Sequence, residues 1–333
     1  MKQDLLKTLS AAFGPPGGEG AVVTALRRAI RPYVDDIWSD ALGNLIARRG
    51  RRERTGLKIM VMVQLDEVGL IVTHVDRRGL ISFSRLGDLT AACLPGSRVE
   101  FEGGILGIVT SSGEEDTSAR LTMDKLLIDV GAHSLKDCPV KIGQMGVLEG
   151  AAVSVGDSLC GKAVATRAGA AVLAETLRLL GSTPHELHFA FVSQTCRGDR
   201  GASVAAYAVE PELGLAVCCV AANHHRKPGE SRPTLGSGPV LLLQDAETVA
   251  DATVVHALER SGKKAVIPLA PYIASQQTSH ARAIQTARTG AAVGMLGIPS
   301  CNLYSASERV DSQDLLAAAK LLRTFLSGSL PRQ

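Results

Sequence analysis

Lys58-Ile-Met-Val-Met-Val-Gln-Leu-Asp-Glu-Val-Gly69 begins as a nearly continuous apolar run and ends in polar residues and glycine. A nearly continuous apolar run, Leu57 to Val63 with only Lys58 polar, suits a strand covered on both faces rather than one with a solvated side. Gln64 and Asp66 are two residues apart, so on an extended chain they share a face, and a hydrogen bond between them is the simplest expectation. Upstream, Val22, Val23, Leu26, Ile30 and Val34 recur at helical spacing after the turn-forming Gly14-Pro-Pro-Gly-Gly18, and Leu45-Ile-Ala47 reads as a strand. The arginines 48, 49, 51, 52 and 54 flank Gly50 between the two apolar runs and read as a solvated hairpin loop.

Downstream the character changes. From Leu70 to Cys160 short alternating segments are cut by Gly, Asp and Ser: Leu70–Val75, Leu80–Phe83, Val99–Phe101, Ile105–Val109 and Leu126–Val130. This spacing predicts a small β-barrel-like insert over residues 70–160. Past Gly161 an α/β rhythm returns, with helices expected at Arg167–Leu180, Ala202–Val209, Val249–Glu259, Ser279–Arg288 and Asp311–Leu326. Strands are expected between them at Leu187–Val192, Leu215–Val220, Val240–Leu243, Ala265–Leu269 and Ala292–Ile298. Such alternation implies a mainly parallel sheet sandwiched by helices, formed by residues 1–69 and 161–333 together. Asp311 is placed to cap the last helix, Asp314 to favour its positive end and Gly328 to end it.

At 333 residues the chain is long for one core, and its 45% hydrophobic content gives ample material for two. A net charge of +3 and 3% aromatic residues offer neither the field nor the stacking platforms that nucleic-acid binding needs. No segment is apolar enough to span a membrane. Seven cysteines, an odd number in a chain this long, suit thiols in the cytoplasm better than a disulfide framework.

Several segments resemble, in order, the tetrahedral and glutamyl aminopeptidases, the forty-second metallopeptidase family. Asp40-Ala-Leu-Gly-Asn-Leu-Ile46 is similar to that family's Asp-x-Leu-Gly-Asn-Leu-Ile, and Gln64-Leu-Asp-Glu-Val-Gly69 to its His-x-Asp-Glu-x-Gly. Leu127-Ile-Asp-Val-Gly-Ala132 matches Phe-Ile-Asp-Ile-Gly-Ala, Gly161-Lys-Ala163 leads into the place of Asp-Asp-Arg, and Gln194 through Ala202 spans Gln-Glu-Glu-x-Gly-x-Arg-Gly-Ala. Leu235-Gly-Ser-Gly-Pro239 and Tyr304-Ser305 with Glu308, Val310 and Asp311 complete the frame. The resemblance implies the zinc-aminopeptidase fold with its inserted domain. It also implies self-association, as a dodecamer or as a mixed oligomer with an active paralogue.

The family's chemistry uses two divalent metals such as zinc or cobalt, held by two histidines and three carboxylates, and a glutamate that takes a proton from water. Carried over by position, the ligand set reads Gln64, Ala165 or Thr166, Cys196, Cys218 and Tyr304, and the general base reads Thr195. Asp66 survives. Apart from the two cysteines these residue types grip divalent metals badly, so no metal and no catalytic residue is expected, and the leading reading is a non-catalytic protein with a scaffold, assembly or ligand-binding role. An active metal-dependent aminopeptidase with a rearranged site is the alternative. A mononuclear soft-metal or thiol-based site at Cys196 and Cys218, expected to be neighbours, with Tyr304 or His280, is a third. His280 stands where the family has an Asp, so it is expected to line the cavity, and a Cys196/His280 nucleophile pair lacks a third, orienting group. His224-His225, followed by Arg226-Lys-Pro-Gly229, reads as an exposed turn, and Glu114-Glu-Asp116 as a solvated loop. His74, His133, His185, His188 and His256 fit packing or surface roles.

Overall fold

A computed structural model describes residues 3–111, 121–223 and 232–330. Glu114-Glu-Asp116 and His224-His225 lie outside these. The chain opens with α1 (Gln3–Ala11) and α2 (Gly20–Ile30), then β1 (Asp36–Ser39), β2 (Leu45–Arg49) and β3 (Lys58–Gln64). Six strands follow, β4 (Gly69–Val75), β5 (Ile81–Leu86), β6 (Arg98–Phe101), β7 (Ile105–Ser111), β8 (Leu126–Asp129) and β9 (Met145–Leu148). They close into a barrel in the order β4-β5-β8-β7-β6-β9 around Leu70, Val99, Phe101 and Ile128. Closure leaves no edge strand unpaired.

The chain returns through β10 (Val153–Val155), β11 (Ser158–Gly161), α3 (Ala168–Leu179), β12 (Glu186–Val192), α4 (Arg200–Val209) and β13 (Leu213–Ala221). It ends with β14 (Val240–Gln244), α5 (Ala252–Ala265), β15 (Ala270–Ile273), α6 (Ala281–Gln285), β16 (Ala292–Cys301), β17 (Glu308–Asp311) and α7 (Ser312–Leu326). Among the described residues eleven strands form one sheet along the path β1-β2-β12-β3-β13-β16-β17-β11-β10, with β14 attached to β16 and β15 to β14. Its centre, β12-β3-β13-β16, is parallel; the strands outside that block join it antiparallel. β10 and β11, read from sequence as the end of the insert, pair into this sheet through β17.

The double-sided cover expected for β3 is present. Ile59, Val61 and Val63 face the layer of α1, α2, α3, α5 and α7, while Met60 and Met62 face α4 and α6. Asp311 caps α7 by accepting from the Gln313 and Asp314 amides, at 2.8 Å and 3.4 Å. Asp314 does more than complement the dipole, since it accepts from Gly236 and Gly238 at 2.8 and 2.7 Å and so ties the Leu235–Pro239 loop to α7.

Some local expectations fail for identifiable reasons. The arginine segment is no hairpin loop, because β12 lies between β2 and β3. Arg49 instead donates to the Leu177 and Leu180 carbonyls at the end of α3, satisfying groups that a helix leaves unpaired. The strand expected at Ala265–Leu269 falls four to five residues late, at β15, because α5 runs on to Ala265. Val266 takes the left-handed cap conformation, φ 55°, that glycine usually marks. The helix expected over Ser279–Arg288 shrinks to α6, which starts only after His280, itself left-handed at φ 64°.

Candidate functional site

The carboxyl ends of β3, β12, β13 and β16 point toward the barrel, and the residues singled out from sequence sit on the loops that leave them. The Asp40–Ile46 motif holds one of these loops. Asn44 donates to the Gly201 carbonyl at 2.9 Å and accepts from the Ser193 amide at 2.8 Å, while Asp40 accepts from the Asn44 side chain at 2.6 Å. The chain leaving β12 is thereby fixed just where Gln194, Thr195 and Cys196 emerge.

Asp66 is fully buried, and its carboxylate turns to that loop rather than to Gln64. It accepts from the Thr195 amide and hydroxyl at 2.8 and 2.6 Å and from the Cys196 amide at 2.7 Å. Gln64 donates only weakly, at 3.5 Å, to the Asp66 backbone carbonyl. Both Asp66 oxygens are therefore committed within the chain.

Glu308 makes the corresponding tie on the other side. Its carboxylate accepts from the Ala165 and Thr166 amides at 2.9 and 3.2 Å, the Thr166 hydroxyl at 3.3 Å and the Tyr304 amide at 2.9 Å. Burial outweighs these donors and pushes Glu308 up to about 7, with the Glu67 charge adding to the rise. Glu67 in turn is neutralised by Lys162 at 3.1 Å and Arg167 at 2.9 Å, all three buried. Arg167 also donates to the carbonyls of Leu9, Ser10, Ala12 and Leu65, so one guanidinium joins the α1–α2 connection to the exit of β3.

The thiols separate. Cys218 and Cys219 are successive residues of β13, and their side chains go to opposite faces. Cys218 joins the layer under α4 and α6, Cys219 the layer under α3. Cys196 packs with Tyr304 against the barrel core, where a Cβ added to Gly87 would come within 3.3 Å of its sulfur. Burial raises Tyr304 above the ordinary phenol range, and Cys219, Asp88, Cys196 and Glu308 contribute to that rise. Cys219, which sequence reasoning passed over, is the β13 thiol on the α3 side of the sheet. Burial pushes it up to about 12, with Glu308 adding to the effect. Burial, with Asp66 next in weight, also raises Cys196 well above the thiol range, the reverse of what an activated nucleophile needs.

His280 lies nearby with an orienting carboxylate that sequence did not reveal, since Nδ1 is 2.7 Å from Asp199, which Arg282 also approaches at 3.4 Å. Asp199 is held below the usual carboxylate range by His280. Glu19, likewise missed, is buried and accepts from the Gly17 and Gln194 amides at 2.9 and 2.8 Å. A lone glutamate before an apolar helix carries no signal of this. His185 is a packing residue bridging the Leu57 amide and Gly328 carbonyl at 3.0 and 2.8 Å, and His256 is a surface residue beside Glu259.

Among the described residues no three His, Cys, Asp or Glu side chains are grouped so as to hold a metal ion. Gln64, Ala165, Thr166 and Tyr304 supply no carboxylate or imidazole, and the carboxylates of Asp66 and Glu308 are already engaged by three and four amide or hydroxyl donors. These donors do not fit a pair of divalent cations.

The sequence profile of the M42 glutamyl aminopeptidases matches residues 43–321. The chain belongs to that family. A candidate aminopeptidase of Acetivibrio thermocellus is 32% identical over 96% of both chains. The TET aminopeptidase of a marine sediment archaeon, Thaumarchaeota archaeon SCGC AB-539-E09, superposes with a TM-score of 0.93 at 27% identity, covering 98% of this chain and 96% of that one. The Pyrococcus horikoshii TET1 peptidase, described as assembling into a tetrahedron or a large octahedral shell, gives 0.87 at 24% identity over 97% and 98% of the two chains, a likeness of fold. No helix among the described residues is long and apolar enough to cross a membrane.

Proposed function

We propose that this protein is a non-catalytic M42 family member whose role is assembly or scaffolding. The observation that carries the reading is the commitment of Asp66 and Glu308 to backbone amides, in a site whose remaining family positions hold Gln64, Ala165, Thr166, Thr195, Cys196 and Tyr304. Two dications about 3.5 Å apart repel by on the order of 20 kcal/mol at an effective dielectric near 20. A bridging carboxylate offsets such repulsion, and neither Ala165 nor Thr166 can supply one. Thr195 cannot replace a glutamate as base, because its hydroxyl titrates far from neutrality.

The relatives favour a different reading, a working metal-dependent aminopeptidase, since proteins so named match this chain over nearly its full length. One experiment separates the two: elemental analysis of protein prepared without chelators and then supplied with zinc or cobalt, together with amino-acid release from unblocked peptides. The non-catalytic reading predicts fewer than one metal ion per chain and no release. Two ions per chain with turnover would establish the aminopeptidase. Self-association, supported by the shells described for the TET1 relative, predicts a mass of several chains by light scattering. Co-purification with a catalytic paralogue would extend it to a mixed shell.

A further inference from the structure

A cavity of about 290 Å³ lies at the opposite edge of the sheet, where β3, β13 and β16 begin. Its floor is apolar and buried: Leu57, Leu213, Val254, Ala257 and Ala292 are each at most 8% exposed. Its rim carries charges of both signs, Arg52 and Glu212 in contact at 2.8 Å and Asp251 at the start of α5. We propose that this cavity binds a small zwitterion with an apolar side chain, a free aliphatic amino acid, independently of whether the barrel-facing site is catalytic.

Three features support that ligand class. The volume is at the lower bound of ligand pockets, roughly 300 Å³, which suits a molecule of leucine's size. The floor offers only hydrocarbon, so whatever polar groups the ligand has must sit at the rim. There, the guanidinium has donors beyond those used for Gly56 and Glu212, as a planar fork matches a carboxylate. Glu212 accepts from Arg52 and the Lys58 amide, and an ionised carboxylate has about four acceptor positions, leaving capacity for an ammonium. A purely anionic or cationic ligand would satisfy one side of this rim and face a like charge on the other. A zwitterion satisfies both.

The test is calorimetric titration of the full chain with L-leucine, alongside 4-methylpentanoic acid, which lacks the amine, and 3-methylbutylamine, which lacks the carboxylate. A ligand of this size is expected to bind with a Kd of about 1 mM. Each single-charge analogue should bind at least about tenfold more weakly. Arg52→Gln and Glu212→Gln change exposed side chains, Glu212→Gln keeping an acceptor for the Lys58 amide, and each should weaken leucine by a similar factor without changing the melting temperature by more than a degree or so. Cys196→Ser, on the barrel side, should leave leucine binding intact. No heat at 10 mM leucine, analogues binding as well as leucine, or binding that survives both rim substitutions would overturn the proposal. Binding lost in Cys196→Ser but kept in the rim variants would place the ligand in the barrel-facing site and overturn it equally.

Discussion

Replacing Glu308 by glutamine removes a buried group whose folded and unfolded forms hold a proton differently. Burial holds the folded carboxyl at about 7 against an ordinary value of 4.5, so between those values the folded state binds the proton more tightly than the unfolded chain. Stability from this group is then fully present below about pH 4.5 and is lost as the pH rises through 7. A shift of roughly 2.5 pH units corresponds to about 3 kcal/mol, or about 4 °C in melting temperature for a chain of this length. Glutamine cannot titrate, and its NH2 group faces an N–H donor from Ala165, Thr166 or Tyr304, which adds a penalty of about 1–3 kcal/mol at every pH. Melting curves of both proteins between pH 4.5 and 8 isolate the titrating part, because titrations common to both cancel in the difference. The advantage of the natural protein over Glu308→Gln should shrink by about 3 kcal/mol from pH 4.5 to 8. A difference constant with pH, or growing toward alkaline pH, would mean that the four donors outweigh burial and that the reasoning is wrong.

Arg167→Met leaves Glu67 buried with Lys162 alone and breaks the link to the α1–α2 connection; urea denaturation should show a loss of about 3–5 kcal/mol, and a loss below 1 would refute the role assigned to this guanidinium. Asp311→Ala removes the α7 cap and should cost about 1 kcal/mol by the same assay, with an unchanged value indicating that the Gln313 and Asp314 amides find other acceptors.

Strand β3 was legible because five consecutive residues, Ile59–Val63, that avoid water on both faces have few other places to go, and the barrel because alternation with a period of two is a direct record of one buried face. Less was legible where the usual punctuation was missing. Val266 and His280 occupy left-handed positions without being glycine, so the end of α5 and the start of α6 were misplaced. The short α1, with few apolar positions, left no periodicity long enough to read.

At the candidate site, the sequence by itself determined which side chains are absent: no imidazole stands at 64 or 304 and no carboxylate at 165, 166 or 195, because residue identity at a strand end does not depend on packing. Only the tertiary structure decided what the remaining groups do. Asp66 and Glu308 are bound to amides more than 100 residues away, Asp199 at the head of α4 reaches His280 at the head of α6, and Cys218 and Cys219 are sent to opposite faces of β13. Such partners are chosen by the direction a side chain takes from its strand and by the need to satisfy each polar group that folding removes from water, and neither is written in local sequence.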